Sequence, residues 1–107
     1  MKRRTTPVLE VTFDIPTETI AKVLFVFKQE CEETAEAILE KAYPGDVSES
    51  GGVFKIQFTK EETALFVGGS DFYMDTMITD QAGRIPQTPI VRLFMSKTLF
   101  SEKEVSE

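Results

Sequence analysis

Apolar and polar residues alternate along five stretches of this chain. Leu9, Val11 and Phe13 alternate with Glu10, Thr12 and Asp14. That period of two marks a half-buried strand. Pro16 ends it, because proline donates no ladder hydrogen bond. Residues 20–29 follow, with Val23, Phe25 and Phe27 on one face and Leu24 and Val26 on the other. Apolar residues on both faces predict a central strand covered on both sides, or one whose second face meets a partner. Phe54, Ile56 and Phe58 alternate with Lys55 and Gln57. Phe72, Met74, Thr76 and Ile78 share one side of a strand over 72–79, and residues 90–95 make the last strand.

The connecting segments are mostly punctuated. Residues 43–52 contain Pro44, Gly45, Gly51 and Gly52 and read as a loop. Thr59-Lys60-Glu61-Glu62 has the form of a capping box, Thr59 as N-cap with Glu62 reaching back. It predicts a short helical turn over 60–66, stopped by Gly68-Gly69. Asp80-Gln81-Ala82-Gly83 predicts a type I turn leading into a bulged hairpin between the last two strands. Residues 31–42 stay divided. Cys31, Ala35, Ile38, Leu39 and Ala42 fit a helical stripe, and Ala, Glu, Leu and Lys favour helix locally. The strand pattern there is weaker.

Composition narrows the chemistry more than the architecture. The 107 residues suffice for one domain and one core. We expect a single β-sandwich domain over 1–100 and a disordered acidic tail over 101–107. There is no histidine, which removes Ser-His-Asp and Cys-His catalysis and His-dependent metal sites. Cys31 is the one cysteine. It cannot form an intrachain disulfide, and between Glu30 and Glu32 it lacks the electropositive setting of reactive cysteines. No phosphate-loop or dinucleotide glycine pattern is present. Asp46-Val47-Ser48-Glu49-Ser50-Gly51 starts like a calcium loop, but the bidentate carboxylate position six residues after the glycine is Gln57, inside a predicted strand. The run Glu30, Glu32, Glu33, Glu36 and Glu40 reads as a solvated face. We therefore expect no enzyme, no cofactor and no metal.

The formal charge is −6, and the cations are scattered except for Lys2-Arg3-Arg4. That balance argues against nucleic acid as a partner, and the basic start reads as a solvated terminus. No apolar run approaches the ~20 residues of a membrane span. Thr5-Thr6-Pro7 stands where a signal peptide would have its apolar region. The expectation is a chain not exported by the Sec route and without membrane contact.

The order of features carries a resemblance. Arg3-Arg4-Thr5-Thr6-Pro7 leads into a strand, Phe27-Lys28-Gln29 closes the second, and Glu40-Lys41 sits late in the third. Phe58-Thr59-Lys60-Glu61-Glu62-Thr63 bridges two strands, and an Asp-x-x-Gly turn precedes the last. Over residues 3–100 this resembles small proteins encoded in prophages of Gram-positive bacteria and, more distantly, the N-terminal domain of phage baseplate upper proteins. The resemblance implies an all-β, mainly antiparallel immunoglobulin-like sandwich of about six to eight strands, with 35–41 as a strand. Phe13, Phe25, Phe27, Phe54, Phe58, Phe72 and Phe94 would then fill one inter-sheet core.

It also implies a non-enzymatic tail- or baseplate-associated adaptor. Such a protein would be cytoplasmic in the bacterial host or virion-associated, with other phage structural proteins or further copies of itself as partners. Leu24, Val26, Tyr73, Met77 and Phe100 are the candidate protein contacts, being apolar on the face away from the predicted core. An exposed cluster of them favours assembly, and full burial removes the motive. The alternatives are a carbohydrate-binding sandwich, for which Tyr43 and Tyr73 are the available rings, and a small acidic regulator that meets a basic surface on a host protein.

Overall fold

The computed structural model describes residues 1–97; Phe100 and the tail lie outside them. The described residues form seven strands: β1 (Val8–Val11), β2 (Ile20–Lys28), β3 (Ala37–Tyr43), β4 (Val47–Ser50), β5 (Val53–Gln57), β6 (Ser70–Asp80) and β7 (Val91–Met95). One helical turn, α1 (Lys60–Thr63), joins β5 to β6. All strand pairings are antiparallel, in a three-stranded sheet β1-β5-β4 and a four-stranded sheet β3-β2-β6-β7. Lettered B, C, C′, D, E, F and G in chain order, these are the sheets B-E-D and C′-C-F-G. That is the division of a variable-type immunoglobulin sandwich without strands A and C″ among the described residues. The protein is an all-β, immunoglobulin-like sandwich.

Each strand's parity sets its core residues. Phe25, Phe27, Phe54, Phe58, Phe66 and Phe72 are fully buried with Val23, Ile56, Ile78 and Met95. Phe27 meets Phe58 edge-on at 5.3 Å between centroids and also touches Phe66 and Phe72, both at 6.3 Å. A second group joins Phe54 to half-buried Phe13 at 5.3 Å and Tyr43 at 5.0 Å. Edge-to-face geometry of this kind adds about 0.5–1.5 kcal/mol per pair beyond burial.

Phe94 departs from the expected core list. It pairs with Asp71 on the outer side of the four-stranded sheet and is 50% exposed. Leu93 and Met95 take the inward parity of β7, so Phe94 cannot. Phe66, from the turn after α1, fills the core instead.

Two segments differ from the sequence expectation, and the divided one resolves to the strand that the resemblance implied. Residues 37–43, locally helix-favouring, are the edge strand β3, in register from Val23↔Tyr43 to Phe27↔Leu39, with a bulge before Lys28↔Ala37. Pairing with β2 satisfies its backbone and brings Leu39 and Tyr43 against the core, which outweighs a propensity worth only tenths of a kcal/mol per residue. Residues 47–50, read as loop, form β4. The Ser50↔Val53 pair closes through Gly51 and Gly52, at φ 60° and 87°. Two positive φ values are what a tight type I′ hairpin needs. The β6–β7 pairing stops at Met74↔Val91 instead of running to the predicted turn. Pro86 and Pro89 cannot donate to the ladder, and Thr88 Oγ1 donates to the Thr76 carbonyl at 2.6 Å instead. The Asp80 turn itself is present, with Gly83 N donating to Asp80 O at 3.0 Å.

The basic start is not a free terminus. Lys2 bridges Ser96 in parallel. Arg3 Nε donates to the Phe66 carbonyl at 2.8 Å and Nη2 to Ala64 O at 2.7 Å, closing carbonyls left open after α1. Thr5 N donates to the buried Thr63 hydroxyl at 3.1 Å. Arg4, at φ 62°, turns the chain between these anchors.

The capping box is complete. Glu62 N donates to Thr59 Oγ1 at 3.1 Å, and Thr59 N to Glu62 Oε1 at 2.8 Å. Glu62 also pairs with Lys41 Nζ at 2.8 Å, which ties β3 to α1. Burial pushes the Glu62 carboxyl up, but hydrogen bonds from Lys41 and Thr59 outweigh it and leave its pKa below the ordinary value. Asp80 is lowered too, first by the backbone N–H of Arg84, against a smaller desolvation effect.

Two outcomes follow for stability. Phe27→Ala should cost about 3–5 kcal/mol in urea denaturation, whereas Phe94→Ser should stay within about 0.5 kcal/mol of the parent. Depressed carboxyl pKa values give stability that is complete above the unfolded-state values and is lost as pH falls through the folded ones. The urea midpoint should therefore drop as pH is taken from about 5 to about 3, and Glu62→Gln should flatten that drop.

Candidate functional site

The four-stranded sheet buries one face and leaves the other uncovered among the described residues. β2 is thus central in hydrogen bonding but layered on one side only, unlike the covered-on-both-sides expectation. The register places the candidate contacts together. Leu24 faces Met77, Val26 faces Asp75 and Lys28 faces Tyr73, all on the outer side. Leu24, Val26 and Tyr73 are half-buried by their neighbours, and Met77 is 46% exposed. None is fully buried. Phe100 lies outside the described residues.

Two residues that sequence reasoning missed join them. Phe94 lies on the same face beside Asp71, and Ile90, 53% exposed, stands next to Val26 and Tyr73. The signal for Phe94 was present: Val91, Leu93 and Met95 are apolar with one parity, which leaves Phe94 the other.

At the Lys28–Tyr73 end the face dips into a concavity of about 310 Å³. Val26, Tyr73 and Ile90 line it, with Lys28, Glu30, Cys31, Glu32, Glu33 and Asp75 around them. The wall that carries the glutamates is pinned from below. Lys28 Nζ donates to the carbonyls of Glu32 at 3.3 Å and Glu33 at 3.0 Å. Gln29 Nε2 donates to Asp71 O at 2.7 Å, and its Oε1 accepts from Val67 N at 3.0 Å. Ala35 N donates to Glu32 O at 3.1 Å and closes the turn.

Tyr43 is on the opposite, inward parity, packed on Phe54, so it does not form a platform with Tyr73. Among the described residues, no group of three or more His, Cys, Asp or Glu side chains is placed to hold a metal ion. None of their helices is long and apolar enough to cross a membrane.

A comparison with solved structures matches the chain to the one described as the NK cell receptor Nkp44, a triggering partner in natural cytotoxicity. Identity is 10%, 92% of this chain and 95% of that chain are covered, and the TM-score is 0.49. No family model matches the chain, and no curated protein matches it. What makes the sandwich immunoglobulin-like is its own strand order.

The pinned wall yields a direct test. Lys28→Met should speed amide hydrogen exchange at Ala35 about five- to tenfold, the effect of losing hydrogen bonds worth about 1 kcal/mol. Phe25 and Phe27 amides should keep their protection. Equal exchange at Ala35 in both proteins would mean that Lys28 does not hold the wall.

Proposed function

We propose that this chain is a non-enzymatic assembly module, an adaptor associated with the tail or baseplate of a phage or prophage particle, that docks another protein on the outer face of its four-stranded sheet. The observation that carries the docking role is the convergence of Leu24, Val26, Tyr73 and Met77 with Ile90 and Phe94 on one uncovered face. Apolar side chains gathered on one uncovered face are the pattern that marks interaction sites in soluble proteins. The phage setting rests on the resemblance of the ordered motifs from Arg3 to the last strand. It would make the protein cytoplasmic in the bacterial host or part of the virion. The carbohydrate-binding alternative loses its aromatic pair, because Tyr43 packs on Phe54 on the inward parity, opposite the face that carries Tyr73.

The test is sedimentation of a tagged chain from its bacterial host after prophage induction. The parent should travel with tail- or baseplate-sized particles. Met77→Asp should return it to the low-mass fractions with its urea midpoint kept, since Met77 is exposed. A parent chain that stays at monomer mass throughout would sink the adaptor reading.

A further inference from the structure

We propose that the partner segment received on this face is cationic, an extended stretch in which Lys or Arg flank one bulky apolar side chain that enters the concavity beside residues 30–33. This rests on the docking role assigned to the outer face and names the partner's chemistry.

The floor of the concavity is apolar: Val26, the Tyr73 ring and Ile90. Its volume of about 310 Å³ lies at the small end for ligand sites and suits one side chain better than an extended cofactor. The surround is anionic. Glu30, Glu32, Glu33 and Asp75 stand there against Lys28 in the lining and Arg92, which lies across from Tyr73 on the same face. Lys28 is committed to main-chain carbonyls of the same wall. The ion pairs among the described residues are Lys41–Glu62 and Arg84–Asp80, so none of the four carboxylates is taken up by one.

Charge complementarity therefore selects a basic occupant. The chain's formal charge of −6 also steers cations toward it and repels acidic ones. An extended segment presents alternate residues to one surface. Cations two positions before and after the apolar residue would thus point to the same side as it does. The wall is already held by Lys28, Gln29 and the Glu32–Ala35 turn, so little ordering is needed on binding.

The experiment is an NMR titration of the full chain, labelled with nitrogen-15, with the peptide Lys-Ser-Phe-Ser-Lys, capped at both ends. Two control peptides replace both lysines by glutamate or the phenylalanine by alanine. The expected result is saturable shifts confined to residues around Val26, Glu33, Tyr73 and Ile90. Binding should weaken several-fold between about 0.02 M and about 0.3 M salt. The glutamate peptide should not bind, and the alanine peptide should bind at least about fivefold more weakly. The triple variant Glu30→Gln, Glu32→Gln, Glu33→Gln changes only exposed side chains. It should keep its fold and lose at least about fivefold in affinity.

Shifts elsewhere, equal binding of the glutamate peptide, or indifference to the phenylalanine would overturn the proposal. The two readings fail separately. Loss of particle association in Met77→Asp with no peptide binding keeps the docking face and removes the cationic partner. Peptide binding alongside unimpaired association of Met77→Asp keeps the cationic site and removes the docking role.

Discussion

The sandwich depends on one layer of phenylalanine rings between two small sheets. Neither sheet has the means to stand alone: the three-stranded one is built from strands of four and five residues, and short isolated strands are marginal in water. Burying Phe54 and Ile56 of β5, with Phe58 just after it, against Phe25, Phe27 and Phe72 of β2 and β6 removes a large apolar area from water. Phenylalanine has no polar group to satisfy, so the layer can be dry and its rings free to choose edge-to-face contacts. Removing one ring leaves a cavity that its neighbours, held on opposite sheets, cannot collapse to fill.

Everything at the ends of the layer serves to close it. Phe66 reaches the core because the capping box ends β5 and turns the chain sharply into α1. The carbonyls that α1 leaves open are met by Arg3, which in turn places residues 1–3 beside Ser96 at the end of β7. At the other edge, Lys41 lies in register with Phe25 and still reaches Glu62 with its ammonium, its stem covering the margin of the core. These contacts run between parts of the chain far apart in sequence, so they form only with the sandwich.

A sheet that buries one face must leave the other to solvent or to a partner. β4, β5 and β1 do this mostly with polar residues on their exposed parity, such as Ser48, Lys55 and Glu10, although Val8 is exposed beside them. β2 and β6 do not. They carry Leu24, Val26, Tyr73 and Met77 outward, mixed with Lys22, Asp71 and Asp75. Apolar and charged side chains are interleaved there, with Asp75 across from Val26 between the Leu24–Met77 and Lys28–Tyr73 pairs.

Much of this was legible residue by residue. Alternation located β1, β5 and β6 and put Phe25 with Phe27 and Phe54 with Phe58 on shared faces, because a strand's period of two is a local property of the backbone. The capping box at Thr59 was legible for the same reason: donor and acceptor lie within one turn. That Leu24 and Val26 share the face opposite Val23, Phe25 and Phe27 also followed from β2 alone, but which of the two faces lies outward did not. Other features depended on what each segment meets. Residues 37–43 favour helix by themselves and become a strand because the edge of β2 offers them backbone partners. Ser48 and Glu49 have no hydrophobic pattern and pair because Gly51-Gly52 folds them onto β5. Phe94 was expected in the core from the sandwich that the resemblance implied and lies outside because Leu93 and Met95 are pulled inward. Arg3 looked solvated and is spent on two carbonyls some sixty residues away. The sequence by itself determined which residues could share a face, since that is a matter of local geometry. Only the tertiary structure decided which faces meet, because burial and backbone pairing are satisfied between segments and not within them.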